Sequence, residues 1–262
     1  TMLQVRNERG TLVYSKIKSK EASEKIVYNT LTVPVRERFQ LVLADGTKVF
    51  LNSGSEMRYP ERFGKARREV FLKGEAWFEV AKDSAREFWV HAGAMDVKVL
   101  GTSFNVKAYE RLETVATTLV EGSVEVACAG KSFQIVPGEQ FVYDKNNRVM
   151  DVRMVDTESY VSWKDGYYKF RQTTLEEIME TLSVWYGLNV FYVNESAKQV
   201  EFTGKVKRYE DARMLLDKFE QTGDVVFDIK GNNVFITIKQ KKPFAREWNS
   251  FLVKARGMVW QS

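Results

Sequence analysis

The sequence contains one cysteine and one histidine, and no apolar run near the roughly 20 residues that cross a bilayer. A lone cysteine excludes an intrachain disulfide and any multi-cysteine metal site. Cys128 sits in the strand-like run Val124-Glu125-Val126-Ala127-Cys128 and reads as a packed thiol. The lone histidine excludes multi-histidine metal centres and leaves no visible partners for a His-dependent triad. In Phe88-Trp89-Val90-His91-Ala92 it reads as a structural residue on a strand. Thr1 to Lys20 also lacks the basic start and apolar core of a signal peptide. The chain is therefore either cytoplasmic or a portion whose targeting and membrane segments lie elsewhere.

A basic excess on the folded part is missing as well. Lys239, Lys241, Lys242, Arg246, Lys254 and Arg256, against the single acid Glu247, account for the entire net charge of +5. The rest is neutral overall and shows no reading helix or basic stacking face, which argues against nucleic-acid binding. Carboxylate pairs such as Glu75 and Glu79, or Glu176 and Glu177, read as solvated strand and helix faces. Glycosidase acid pairs are defined by distance in space, which sequence does not supply. The expectation is a protein that is not an enzyme, with no cofactor and no metal.

What is present is the composition of a folded protein, with 44% apolar and 29% charged residues over 262 positions. That length suits two domains, each able to bury a core. From Ile26 to Met150 short segments rich in Val, Phe, Thr and Tyr alternate with turn signals every eight to twelve residues, the spacing of a sandwich or barrel. The clearest hairpin is Phe39 to Leu43, then Ala44-Asp45-Gly46, then Thr47 to Leu51, with Asp-Gly favouring a type I′ turn. Lys73-Gly74-Glu75, Glu121-Gly122-Ser123, Ala129-Gly130-Lys131, Pro137-Gly138 and Asn146-Asn147 repeat the punctuation. With no helical crossovers, the pairing should be mainly antiparallel.

After Thr157 the period changes. Leu175, Ile178, Met179, Leu182 and Trp185 fall at helical spacing behind a Thr174/Glu177 capping box, and Gly187 is a natural stop. A second amphipathic helix spans Glu210 to Gln221, closed by Gly223. With strands at Tyr167 to Phe170, Leu188 to Val193, Val200 to Val206, Val225 to Ile229 and Val234 to Ile238, the order is βαββαββ. The fold class expected is mainly β with α+β: an antiparallel sandwich or barrel-like domain over 1–156, a small α+β domain over 157–239, and a basic amphipathic tail over 240–262.

Leu43-Ala44-Asp45-Gly46-Thr47-Lys48-Val49-Phe50-Leu51-Asn52 with Tyr59-Pro60 resembles the opening signature of FecR-like proteins. Gly74 to Val80, Val99 to Val106, Thr118 to Val124 and Pro137 to Gln140 follow in that family's order. Trp163-Lys164-Asp165-Gly166-Tyr167 is similar to the start of the domain that follows in many members, itself similar to the short N-terminal domains of secretins and TonB-dependent receptors. One departure is Pro34-Val35-Arg36-Glu37-Arg38, where the family commonly carries a glycine pair. Without glycine the backbone there should not freely take positive φ.

The resemblance implies a relay: a cytoplasmic segment that binds an extracytoplasmic-function sigma factor, one inner-membrane helix, and a periplasmic region corresponding to this chain. Its expected partner is the signalling domain of a TonB-dependent outer-membrane transporter. The aromatic cluster Trp163, Tyr167, Tyr168, Trp185 and Tyr186 is either packing between sheet and helix or a protein-interaction patch. The alternative function is a periplasmic glycan- or ligand-binding β module, suggested by the aromatic content and by tryptophans such as Trp77 and Trp89.

Overall fold

The computed structural model describes residues 3–8, 11–16, 26–208 and 211–239. The basic tail expected from Gln240 onward lies outside these residues, as does the Glu210 start expected for the second helix. Among the described residues fifteen strands form one extended, nearly closed barrel-like sheet. In chain order they are β1 (Leu3–Glu8), β2 (Thr11–Lys16), β3 (Tyr28–Thr32), β4 (Phe39–Val42) and β5 (Lys48–Leu51). Then come β6 (Glu56–Pro60), β7 (Arg68–Glu79), β8 (Phe88–Ala92), β9 (Met95–Val99) and β10 (Ser103–Ala108). The last are β11 (Thr114–Glu121), β12 (Val124–Cys128), β13 (Lys131–Ile135), β14 (Glu139–Asp144) and β15 (Val149–Met154).

Strand β7 belongs to both walls of this barrel. Its first half pairs with β6 and β8, and its second half with β5 and β10. The switch falls at Gly74, where the sequence suggests a turn. The structure instead has a bend inside one strand: Gly74 has φ +110°, and a Cβ there would lie 2.4 Å from Ser55 Oγ and 2.7 Å from Ser55 Cα. Only glycine permits that approach. Gly101 and Gly122 mark two further points where the chain passes between walls, β9 to β10 and β11 to β12.

Pairing is mainly antiparallel, with β2–β4 and β7–β8 as parallel exceptions in the barrel. A parallel pair needs a long crossover; for β7–β8 the second half of β7 and the loop after it provide one without a helix. The β4–β5 turn also differs in kind from the expected type I′. Gly46 N–H donates to the Leu43 carbonyl, Leu43 N–H to that of Thr47, and only Gly46 takes positive φ, at +91°. That is a type I turn with a glycine bulge. A true two-residue turn with two positive φ values occurs instead at Ala129-Gly130.

Alternation along the strands sends Leu41, Val49, Leu51, Ala76, Phe78, Phe104, Val106, Leu119 and Phe141 into one apolar core. The residues between them point outward. On β5, β7, β10, β11 and β14 these include Phe50, Trp77, Asn105, Thr118 and Gln140, and the C-terminal region covers them.

That region contains α1 (Thr157–Val161), a 3-10 turn (Ser162–Asp165), β16 (Tyr167–Thr174), α2 (Leu175–Tyr186) and β17 (Asn189–Tyr192). It continues through β18 (Glu201–Lys207), α3 (Ala212–Glu220), β19 (Val225–Lys230) and β20 (Asn233–Ile238). From β16 the order is the expected βαββαββ. The strands divide into two sheets, an antiparallel β16–β18 pair and a β17–β20–β19 sheet in which β17 and β20 run parallel. Helix α2 begins at Thr174, whose Oγ1 accepts the Glu177 N–H at 3.3 Å, and stops at Gly187 with φ +68°. Among the described residues no helix is long and apolar enough to cross a membrane.

Candidate functional site at the junction of the two regions

The C-terminal region rests on the outer face of the barrel through a shared apolar cluster. Trp77 of β7 packs with Trp163, Tyr168, Phe170, Trp185 and Tyr186, while Phe50 and Val120 close its margin. Trp77 is only 4% exposed, so it is no surface platform for a glycan; the β sheet buries it beneath the second region. Burying one such aromatic contributes about 1.5–3 kcal/mol. Trp89 remains half-buried, beside His91, which bonds Asp96 at 2.7 Å and stacks on Phe71.

Of the five aromatics singled out from sequence, Trp163, Tyr168, Trp185 and Tyr186 are buried in this cluster. Tyr167 is half-buried and turned elsewhere: its O–H donates to Glu158 Oε1 at 3.0 Å, and Lys205 lies 3.7 Å over its ring. The first four all belong to the apolar cluster of the C-terminal region, which Trp77 of the barrel joins.

A polar network threads the same junction. Glu75, expected to be solvated, is 7% exposed, because alternation along β7 places it on the covered face beside Trp77. Asn52 Nδ2 donates to its Oε2 at 2.8 Å and Asn105 Nδ2 to its Oε1 at 2.9 Å. The Asn105 carbonyl oxygen then accepts the Trp163 indole N–H at 3.2 Å, which carries the network into the C-terminal region. Burial raises the Glu75 pKa above the ordinary carboxylate value; nearby Lys107, the two amides and Arg208 oppose that rise. A carboxylate held by neutral amides in a covered site is costly to leave unpaired.

The second connection closes the end of α2. The last carbonyls of a helix have no intrahelical partner. Here the Trp185 carbonyl accepts from Arg36 N–H at 3.2 Å and Ser53 Oγ at 3.2 Å, both from the barrel. Ser53 Oγ in turn accepts from Arg36 N–H at 2.9 Å, and Tyr109 O–H donates to the Ser53 carbonyl at 2.8 Å. Arg36 achieves this with φ +70°. The expectation that the glycine-less loop avoids positive φ is therefore wrong: the two acceptors hold the Arg36 amide in place, and a side chain that stays exposed tolerates the strain.

Cations complete the seam. Arg208 lies 3.7 Å over the Trp185 ring and donates to the Trp163 carbonyl, while Arg38 donates to that of Lys164. Lys107 of β10 approaches Glu180 of α2 at 3.8 Å, and Arg153 of β15 approaches Glu177 at the same distance. Sequence reasoning missed Glu75, Asn52, Ser53, Arg36 and Arg208. The available signal was the run of uncharged polar and aromatic residues at outward positions of adjacent strands, where a solvated face would carry Lys and Glu. Among the described residues no group of three or more His, Cys, Asp or Glu is placed to hold a metal ion.

Comparison with known proteins gives two family matches. The family described as FecR protein matches residues 29–125, and that described as FecR, C-terminal matches 167–236. No curated protein matches. Two crystal structures of a candidate anti-sigma factor from Parabacteroides distasonis, at 1.65 and 2.50 Å resolution, are each 27% identical with a TM-score of 0.73. They cover 81% and 82% of this chain and the whole of their own. FecR-like anti-sigma factors are regulators rather than enzymes, and the chain belongs to that family.

Proposed function

We propose that this chain is the periplasmic, signal-receiving region of a single-pass inner-membrane regulator. It takes a signal from the signalling domain of a TonB-dependent outer-membrane transporter. It passes that signal to an extracytoplasmic-function sigma factor through a cytoplasmic segment upstream of Thr1. In this reading 1–156 and 157–239 are the two working domains, and 240–262 is a basic appendage.

The observation that carries the relay is the capping of α2 by the barrel. Because the Trp185 carbonyl is satisfied by Arg36 and Ser53, a partner that moves α2 must break or reshape contacts on the barrel. The aromatic cluster of Trp163, Tyr168, Trp185 and Tyr186 acts as the internal transmission surface, with Tyr167 at its margin. Among the described residues β17 pairs on one side only, with β20, and an open strand edge is suited to pairing with another chain. Titration of the full chain with the transporter's signalling domain, followed by calorimetry, tests the reading. Saturable binding is expected, and its absence under native-like conditions contradicts the proposal.

A further inference from the structure

Between the outer face of the barrel and the α1–β16–α2 segment lies a cavity of about 270 Å³, just below the range of about 300–1,000 Å³ usual for drug-sized ligands. Barrel residues Ala116, Thr118 and Gln140 form one wall, and Tyr160, Trp163 and Phe170 form the facing one. Two hydroxyls on this lining are buried without a hydrogen-bond partner, those of Tyr168 and Ser159. Tyr168 itself is 3% exposed. Buried hydroxyls are nearly always paired, and leaving one unpaired costs about 1–3 kcal/mol.

We propose that this cavity binds a small, neutral, polyhydroxylated molecule of monosaccharide size. The charged groups on the lining are already engaged: Glu75 by Asn52 and Asn105, Glu180 by Lys107, Glu177 by Arg153, and Lys169 by Asp156 and Glu158. A charged ligand would have to break these pairs. The unengaged groups are neutral hydroxyls beside amides and aromatic rings, which is the surface that recognises a ring with one polar rim and one apolar face.

The entrance is also defined. Arg153, Ser159, Tyr160, Thr173 and Glu177 line both this cavity and an adjoining surface recess. The Arg153–Glu177 pair, with both side chains nearly half exposed, therefore stands between inside and outside. An exposed pair of this kind opens at little cost. A ligand in the cavity touches both regions, so it stabilises their closed arrangement by mass action.

The test uses the full chain and needs no transporter. Glucose, galactose and myo-inositol are titrated to about 50 mM, which would nearly saturate even a Kd of about 1 mM, while tryptophan fluorescence and melting temperature are followed. Saturable binding is expected with at least one of the three. Tyr168→Phe and Ser159→Ala should each weaken it about tenfold or more without lowering the melting temperature of the free protein, because each removes a group that has no protein partner. Ala116→Trp should block it by filling the cavity. No response of the native chain to any of the three overturns the proposal. So does unchanged affinity in Tyr168→Phe and Ser159→Ala together, or preferential binding of glycine or another zwitterion.

Discussion

Two buried charged groups show how differently the barrel interior and the junction are built. Arg68 lies wholly inside the barrel, paired with Asp45 at 2.7 Å, donating to the Ala81 and Arg86 carbonyls and lying over the Phe88 ring. Its partners all come from the barrel. Glu75, at the junction, is held by neutral amides, and through Asn105 it is linked to Trp163 on the other region. The first arrangement supports a single domain. The second makes the fit between two regions depend on the alignment of a few dipoles, which suits a contact that must hold at rest and rearrange on signal.

The comparison is tested most severely at Arg68. Arg68→Ala leaves Asp45 buried without its counter-charge and should cost about 3–5 kcal/mol, seen in a urea melt as loss of the barrel transition. At the junction the expected loss is smaller and of another kind. Asn105→Ala deprives both Glu75 and the Trp163 indole of a partner, for about 1–3 kcal/mol, and should split unfolding into two transitions, with the C-terminal region melting first. Equal effects of the two substitutions on both regions would remove the distinction.

Acid–base behaviour sharpens it further. Burial holds Glu75 above its ordinary value of 4.5 in the folded protein. The folded state therefore binds this proton more tightly than the unfolded chain does. Its contribution to stability is complete below 4.5 and is lost as pH rises through the folded value. Surface carboxylates such as Asp156, lowered mainly by the hydrogen bond from Lys169, act in the opposite sense below the ordinary range. The difference in urea midpoint between native chain and Glu75→Gln, followed from about pH 4 to 8, should thus move in favour of the variant as pH rises. A difference independent of pH would place Glu75 in contact with water.

The smallest effect is expected at Arg36, in the loop that caps α2. Arg36→Gly removes the strain of φ +70° while keeping the amide that caps α2, and should raise the unfolding free energy slightly, by less than about 1 kcal/mol. Arg36→Pro would abolish the N–H and, with its ring fixing φ near about −65°, could not keep the φ of +70° either, so it should destabilise the junction outright.

Much of this architecture is legible in the sequence, because it follows from periodicity. Alternation in Gly74 to Val80 separates Ala76 and Phe78 from Glu75 and Trp77, and the spacing of Leu175, Ile178, Met179 and Leu182 defines α2. What alternation does not state is whether the second face is wet or covered. Glu75 therefore reads as solvated, and the glycan-binding alternative takes Trp77 as exposed, although another region buries both. Nor does local sequence reveal that Lys73-Gly74-Glu75 is a bend: the glycine answers to Ser55, nineteen positions earlier in the chain. The positive φ of Arg36 is invisible for the same reason, since its cause is the distant carbonyl of Trp185. The family signature was readable in the order of its motifs, whereas the junction depends on contacts between residues far apart in sequence.

The coupling of the two regions is tested most directly by hydrogen exchange across residues 34–38 and 52–55, measured in the full chain with and without the transporter's signalling domain. If a partner bound to the C-terminal region acts through the junction, protection of the Arg36 amide, which donates to Trp185 and Ser53, changes on binding. Binding that leaves exchange at Arg36 and across 52–55 unaltered would contradict the relay.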